Sequence, residues 1–71
     1  MYFPRMRSLR KEAHKTQLQL ADYLHISQAT YSGYESGKLN VSIEVLLKLC
    51  DYYGVSLDYL TGRTDERKED R

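Results

Sequence analysis

Four hydroxyl side chains spaced along the chain divide it into short segments. They are Thr16, Ser27, Ser42 and Ser56. Residues of this type are preferred at helix N-caps, because the side-chain oxygen accepts a hydrogen bond from a backbone N–H that the first turn leaves free. Gln19 follows Thr16 at the spacing of a capping box. Pro4 marks the start of one earlier helix, since proline is tolerated in a first helical turn.

Glycines and apolar spacing define the rest of these segments. Gly37, Gly54 and Gly62 suit the left-handed position that ends a helix. We predict helices over residues 4–14, 17–24, 28–36, 43–53 and 57–60, and the absence of period-two alternation makes the fold class all-α. The residues expected to face inward are Met6, Leu9, Ala13, Leu18, Ala21, Leu24, Ala29, Tyr31, Tyr34, Ile43, Leu46, Leu47, Leu49, Cys50 and Tyr53.

Chain length and charge limit the function classes. With 71 residues, the chain has room for one small core, and we predict one domain over residues 1–62 and a flexible charged tail over 63–71. The net charge is only +1, yet residues 1–15 contain five basic residues and one acid, whereas residues 39–60 contain one basic residue and three acids. This asymmetry is typical of a phosphate-facing surface and equally of a solvated helix face.

Several kinds of site have no support in the sequence. Cys50 is the only cysteine, so no internal disulfide is possible, and its apolar neighbours indicate a buried small residue. His14, His25 and Cys50 do not have the spacing of a zinc site, and no catalytic spacing occurs. We therefore expect no metal, no cofactor, no small-molecule ligand and no enzymatic activity. No apolar run has the length of a membrane span or signal peptide, which favours a bacterial-type cytoplasmic protein.

The second and third predicted helices are joined by three or four residues, and the third is short and polar. A polar helix contributes little to a small core, whereas the major groove of B-DNA admits one helix whose side chains reach base edges. The sequence therefore favours a DNA-facing helix over residues 28–36.

The chain resembles the XRE family of phage-repressor and Cro-like helix-turn-helix domains. The resemblance extends from about Met6 to Gly62, and its main motifs are Thr16-Gln17-Leu18-Gln19-Leu20-Ala21, Ile26-Ser27, Tyr34-Glu35-Ser36-Gly37-Lys38, Leu46-Leu47-Lys48-Leu49 and Gly54-Val55-Ser56-Leu57-Asp58-Tyr59-Leu60. It implies a five-helix lambda-repressor-like DNA-binding domain in which helices two and three form the helix-turn-helix. Helix three would be the recognition helix, with helix two across the DNA backbone.

The resemblance also implies roles for individual residues. Base contacts would come from Gln28, Ala29, Thr30, Ser32 and Gly33. Phosphate contacts would come from Gln17, Ser27, Ser36, Lys38 and Asn40. A structural ion pair would join Arg10 to Glu35. A glutamine amide forms a bidentate pair with adenine, although Gln28 could equally be a solvated first-turn residue.

Three features depart from the family pattern or need a structural explanation. His25 replaces the usual glycine after helix two, and histidine tolerates a left-handed backbone better than most residues. Gly33 offers no side chain, so either the backbone approaches the duplex closely or the position is merely permissive. Tyr31 and Tyr34 are expected to face the core with their phenol oxygens near the surface.

The resemblance implies a sequence-specific double-stranded DNA-binding transcriptional regulator. We expect a repressor that binds a near-palindromic operator as a homodimer, in the nucleoid of a bacterial or phage-type host. The alternative is a protein-interaction module or antitoxin-type regulator that uses the same fold to bind a partner protein. Tyr52, Tyr53 and Tyr59 would form its contact surface, or else pack in the core beside a homodimer contact near helices four and five.

Overall fold

The computed structural model describes residues 1–67, which contain five α-helices and no strand. The helices are α1 (Pro4–Glu12), α2 (Gln17–Leu24), α3 (Gln28–Ser36), α4 (Ile43–Tyr53) and α5 (Leu57–Leu60). Helix α2 packs mainly against α3, α1 contacts both α3 and α5, and α4 contacts α5. The predicted all-α, five-helix fold is confirmed.

The predicted N-caps all form. The Thr16 hydroxyl accepts from the Gln19 N–H at 3.1 Å, and the Thr16 N–H donates to the Gln19 side chain at 2.8 Å, which completes the capping box. Ser27, Ser42 and Ser56 each accept from the N–H three residues later, at 3.1, 3.3 and 3.0 Å. Because each cap satisfies an otherwise free donor, it stabilises its helix by about 1 kcal/mol.

Left-handed residues end three of the helices. Gly37 and Gly54 have φ values of +83° and +68°, and His25 takes the same role after α2 with φ +58°. His14 is also left-handed, with φ +58°. That backbone turn stops α1 at Glu12, so the prediction of a first helix reaching residue 14 was too long by two residues.

The core contains one set of buried side chains from all five helices. Its members are Met6, Leu9, Leu20, Ala21, Leu24, Tyr31, Leu46, Leu49, Cys50 and Leu60. Three predicted inward residues are instead exposed: Leu18 by 53%, Ile43 by 54% and Leu47 by 49%. Each lies on its helix beside the buried stripe rather than within it, because successive residues are rotated by about 100°. Ala13 and Ala29 are exposed as well.

Residues 63–67 of the predicted tail lie against α1. Arg67 pairs with Glu12 through two hydrogen bonds of 2.5 and 2.8 Å. The guanidinium of Arg5 donates to the carbonyl oxygens of Tyr59 and Thr64 and stacks over the Tyr59 ring at 4.0 Å. The domain boundary at residue 62 and the flexible tail stay predictions, and residues 68–71 lie outside the described part of the chain.

Within residues 1–67, none of the helices combines the length and the hydropathy that a membrane crossing requires.

Candidate nucleic-acid interface

Helix α3 presents a polar face to solvent. Gln28, Ala29 and Ser36 are exposed and Ser32 is half-buried, whereas Tyr31 and Glu35, on the side of the helix next to this face, are buried. Because successive residues of a helix are rotated by about 100°, Gln28, Ala29, Ser32 and Ser36 form one stripe along α3. Among the described residues, the Gln28 amide has no hydrogen-bond partner, so its donors and acceptor are available to an external ligand.

An ion pair holds the buried side of α3 against α1. The Arg10 guanidinium donates to both Glu35 carboxylate oxygens, at 2.6 and 3.1 Å, and also to the Lys15 carbonyl at 3.0 Å. The side chains of Arg10 and Glu35 are only 12% and 4% exposed. The pair therefore fixes the angle between α1 and the polar helix, in the arrangement implied by the family resemblance.

The Glu35 carboxylate remains charged in this buried position. Burial alone would raise the pKa of Glu35, but the hydrogen bonds, chiefly from Arg10, outweigh it and hold the pKa below its ordinary value. The neighbouring Tyr31 hydroxyl is buried too, which corrects the expectation of a phenol oxygen near the surface. Burial, and then the Glu35 carboxylate, raise the pKa of Tyr31 well above 10.

The depressed pKa of Glu35 predicts a loss of stability in acid. Because the pKa is lower in the folded than in the unfolded chain, the carboxylate stabilises the fold above the unfolded value near 4.5, and this contribution is lost as the pH falls through the folded value. Urea unfolding from about pH 6 to about pH 3 should show a steeper decline for the wild type than for Glu35→Gln. Equal pH dependence in the two proteins would show that Glu35 does not carry this effect.

A cleft opens beside the ion pair, between α1 and the polar face of α3. Its lining combines predicted and unpredicted residues: Tyr2, Arg7, Arg10, Gln17, Ser32, Glu35 and Ser36. The Gln17 amide donates to Glu35 at 3.4 Å, which orients it at the cleft wall. The Arg7 guanidinium, in the described part of the chain, has neither an ion pair nor a hydrogen bond. Neither Arg7 nor Tyr2 was predicted from the sequence to line this site, and only the basic bias of residues 1–15 pointed toward Arg7.

Hydroxyl groups predicted to contact DNA also stabilise the ends of α3. The Ser27 and Thr30 hydroxyls are hydrogen-bonded to each other at 2.9 Å, and Thr30 lies off the outward stripe. At the other end, the Ser36 hydroxyl donates to the Gly33 carbonyl at 3.2 Å and accepts from the Lys38 N–H at 3.4 Å. These residues therefore cluster at the two ends of the polar helix rather than along its middle.

The loop after α3 is held by contacts with the first residues of the chain. The Asn40 side-chain oxygen accepts a 2.8 Å hydrogen bond from the Met1 amine. At Gly37, an added Cβ would lie 3.0 Å from the Tyr2 Cβ, so Tyr2 packs directly on this turn. The Lys38 side chain is exposed. Lys38 and Asn40 consequently lie next to the Tyr2 end of the cleft.

The tyrosines considered as a contact surface pack within the domain. Tyr52 contacts the rings of Tyr23 and Tyr53 at centroid distances of 4.6 and 5.1 Å, and the Tyr53 hydroxyl is buried. The guanidinium carbons of Arg5 and Arg67 lie over the Tyr59 ring, at 4.0 and 5.3 Å from its centroid. The exposed apolar surface of α4 is formed instead by Ile43 and Leu47.

Comparisons with known proteins extend over most of the chain. A family model described as Helix-turn-helix matches residues 6–60. The chain is 43% identical over 67 residues to the cryptic phage CTXphi transcriptional repressor RstR of Vibrio cholerae, across 92% of this chain and 60% of that protein. It is 37% identical over 68 residues to the HTH-type transcriptional regulator AnsR of Bacillus subtilis, across 96% of this chain and 59% of that protein.

A solved structure has the same fold. The crystal structure of a transcriptional regulator from Listeria innocua superposes with a TM-score of 0.78 at 32% identity, covering 92% of this chain and 61% of that chain. This chain spans about 60% of the length of the curated relatives that it matches.

Proposed function

Because this chain belongs to the helix-turn-helix family, as the XRE-type motifs predicted, we propose that it is a sequence-specific double-stranded DNA-binding transcriptional regulator. It acts as a repressor in the bacterial or phage-type nucleoid, and it binds a near-palindromic operator as a homodimer with α3 in the major groove. The relatives are regulators and repressors by name, and the family is not one of enzymes.

The outward stripe of α3 carries this proposal. Gln28, Ala29 and Ser32 are directed away from the core, and the Gln28 amide is unpartnered among the described residues. In the major groove, this amide accepts from the adenine N6 amine and donates to N7. Ala29 provides an apolar contact for a thymine methyl, and Ser32 pairs with a base edge.

Contacts with the DNA backbone come from residues near both ends of α3. Gln17 and Ser36 line the cleft beside α3, and the first turn of α2 adds N–H groups that favour an anion. Ser27 provides a hydroxyl at the start of α3, while Lys38 and Asn40 extend the contact at its end. Thr30, which the resemblance implied as a base contact, is assigned here to the DNA backbone, because it lies off the outward stripe and its hydroxyl bonds that of Ser27. Such contacts position the protein on the duplex without specifying sequence.

We predict that Arg7 adds one phosphate contact to this surface. Its guanidinium is exposed, unpaired within residues 1–67 and adjacent to Gln17 and Ser36 in the cleft. Arg7→Gln should therefore weaken DNA binding similarly for all sequences, and should reduce the slope of log K against log salt concentration by about 0.9.

The matched control for this prediction is Lys48→Gln. Lys48 is an exposed cation of α4 and does not line the cleft, so its removal changes the net charge equally without removing a contact. Fluorescence-anisotropy titrations at several salt concentrations measure both slopes. Identical slopes for the two variants would exclude Arg7 from the phosphate contacts.

We propose that α4 contributes to the homodimer contact. Ile43 and Leu47 are about half exposed, and Ile43 borders an apolar depression formed with Met1, Phe3 and Leu57. Covering these side chains with a second copy removes apolar surface from water. A two-fold dimer presents its two recognition helices about 34 Å apart, one helical turn of DNA.

Selection from random duplexes with purified protein tests the proposed function. We expect an enriched inverted repeat whose half-sites are about 10 base pairs apart, centre to centre. An enriched sequence without internal symmetry would contradict the proposed dimer but would still support sequence-specific DNA binding. Weak, salt-sensitive binding with no enriched sequence would favour the second candidate, a protein-interaction module, for which the exposed Ile43 and Leu47 are the supporting observation.

A further inference from the structure

The side chain of Leu39 occupies the place that a side chain at position 33 would take. A Cβ built on Gly33 would lie 2.6 Å from Leu39 Cδ1 and 2.8 Å from Leu39 Cγ. A hydrogen bond of 3.1 Å from the Leu39 N–H to the Gly33 carbonyl fixes the loop in this position. Gly33 is therefore explained by close packing of the loop after α3, and its backbone need not approach a ligand.

This packing places Leu39 at the edge of the outward face of α3. Gly33 follows Ser32 on the helix and lies on the border of the stripe that begins with Gln28. Leu39 remains 44% exposed although it packs on the helix, so part of its isobutyl group faces the same solvent as the polar stripe. An exposed leucine directly beside an otherwise polar surface is available for contact with an apolar group on the ligand.

We propose that Leu39 is a specificity-determining residue that contacts the C5-methyl group of a thymine in the operator. The inference rests on the proposed function, because it requires α3 to lie in the major groove. The thymine methyl is the only apolar group that the standard bases present there. A loop residue would thus read the base that a longer side chain at position 33 would otherwise reach.

Replacing thymine by uracil tests the proposal, because it removes only the methyl group. Each thymine of the selected operator is replaced in turn, and the ratio of the dissociation constants for the uracil and thymine duplexes is measured for wild type, Leu39→Ala and the control Leu18→Ala. The wild type should bind one uracil-containing half-site about fourfold more weakly, as expected for the loss of one buried group of methylene size. With Leu39→Ala the ratio at that position should fall to about one.

The ratio separates recognition from stability. A variant that folds or dimerises poorly weakens binding to both duplexes equally, so its ratio is unaffected. Leu18→Ala, which removes another exposed leucine from α2, should retain the wild-type ratio. If no thymine gives a ratio that depends on Leu39, the proposal is wrong while the DNA-binding function stands. If no operator is enriched at all, both are wrong.

Discussion

Replacing Arg10 by methionine should reduce the free energy of unfolding by about 3–5 kcal/mol. The substitution retains the length of the side chain but leaves the 4%-exposed Glu35 carboxylate without its cation. It also removes the donor to the Lys15 carbonyl. Since a domain of this size has a total stability of about 4–10 kcal/mol, this loss is a large fraction of the total, and the urea midpoint should fall markedly. Urea unfolding followed by circular dichroism measures the effect.

Two further variants identify the cause of that loss. Arg10→Met combined with Glu35→Leu removes both charges, and it should be more stable than Arg10→Met alone because no charge remains buried and unpaired. Arg63→Gln removes the cation of an exposed pair in which Arg63 and Asp58 are 3.8 Å apart, and it should leave the urea midpoint almost unchanged. If Arg10→Met costs less than about 1 kcal/mol, the pair behaves as a surface ion pair and does not hold α3 in place.

This stability effect has a consequence for binding measurements. Any DNA-binding defect of an Arg10 or Glu35 variant should arise first from unfolding, because Arg10 on α1 and Glu35 on α3 form the buried pair that joins these two helices. Binding by such variants is informative only at temperatures where the helical signal is intact.

Gln28→Ala should relax recognition at one symmetric base position of the selected operator. The Gln28 amide is exposed at the first turn of α3, and loss of a bidentate pair with adenine reduces discrimination by about 1–3 kcal/mol, or about 5- to 150-fold. The folded state should be unaffected, because alanine is favourable in a helix and the amide has no partner in residues 1–67. Titration of operators carrying each base at that position measures the change.

The salt dependence provides the internal control for Gln28. A contact between the Gln28 amide and a base releases no counterions. The slope of log K against log salt concentration for Gln28→Ala should therefore equal that of the wild type, in contrast to Arg7→Gln. Ser36→Ala, at the far end of the same outward stripe, should leave the base preference at the Gln28 position intact. Unchanged discrimination in Gln28→Ala would show that Gln28 is only a solvated first-turn residue.

Local signals in the chain were sufficient for the helix starts and for most helix ends. Thr16 and Ser27 form the predicted caps, and His25 adopts the left-handed turn where the family has glycine. These features depend on residues within one turn of each other, so the residue types determine them directly. The polar character of α3, and with it the DNA-facing hypothesis, followed from the same short-range pattern.

Tertiary packing decided which apolar residues enter the core and which long-range neighbours complete the site. Leu18 and Leu47 have helical spacing, yet they lie beside the buried stripe, since the packing angle between helices selects the face. Leu39 fills the space beside Gly33, and Arg7 joins Gln17 at the cleft. These contacts join residues that are distant in the chain or on different elements, so no local pattern encodes them and only the packed helices create them.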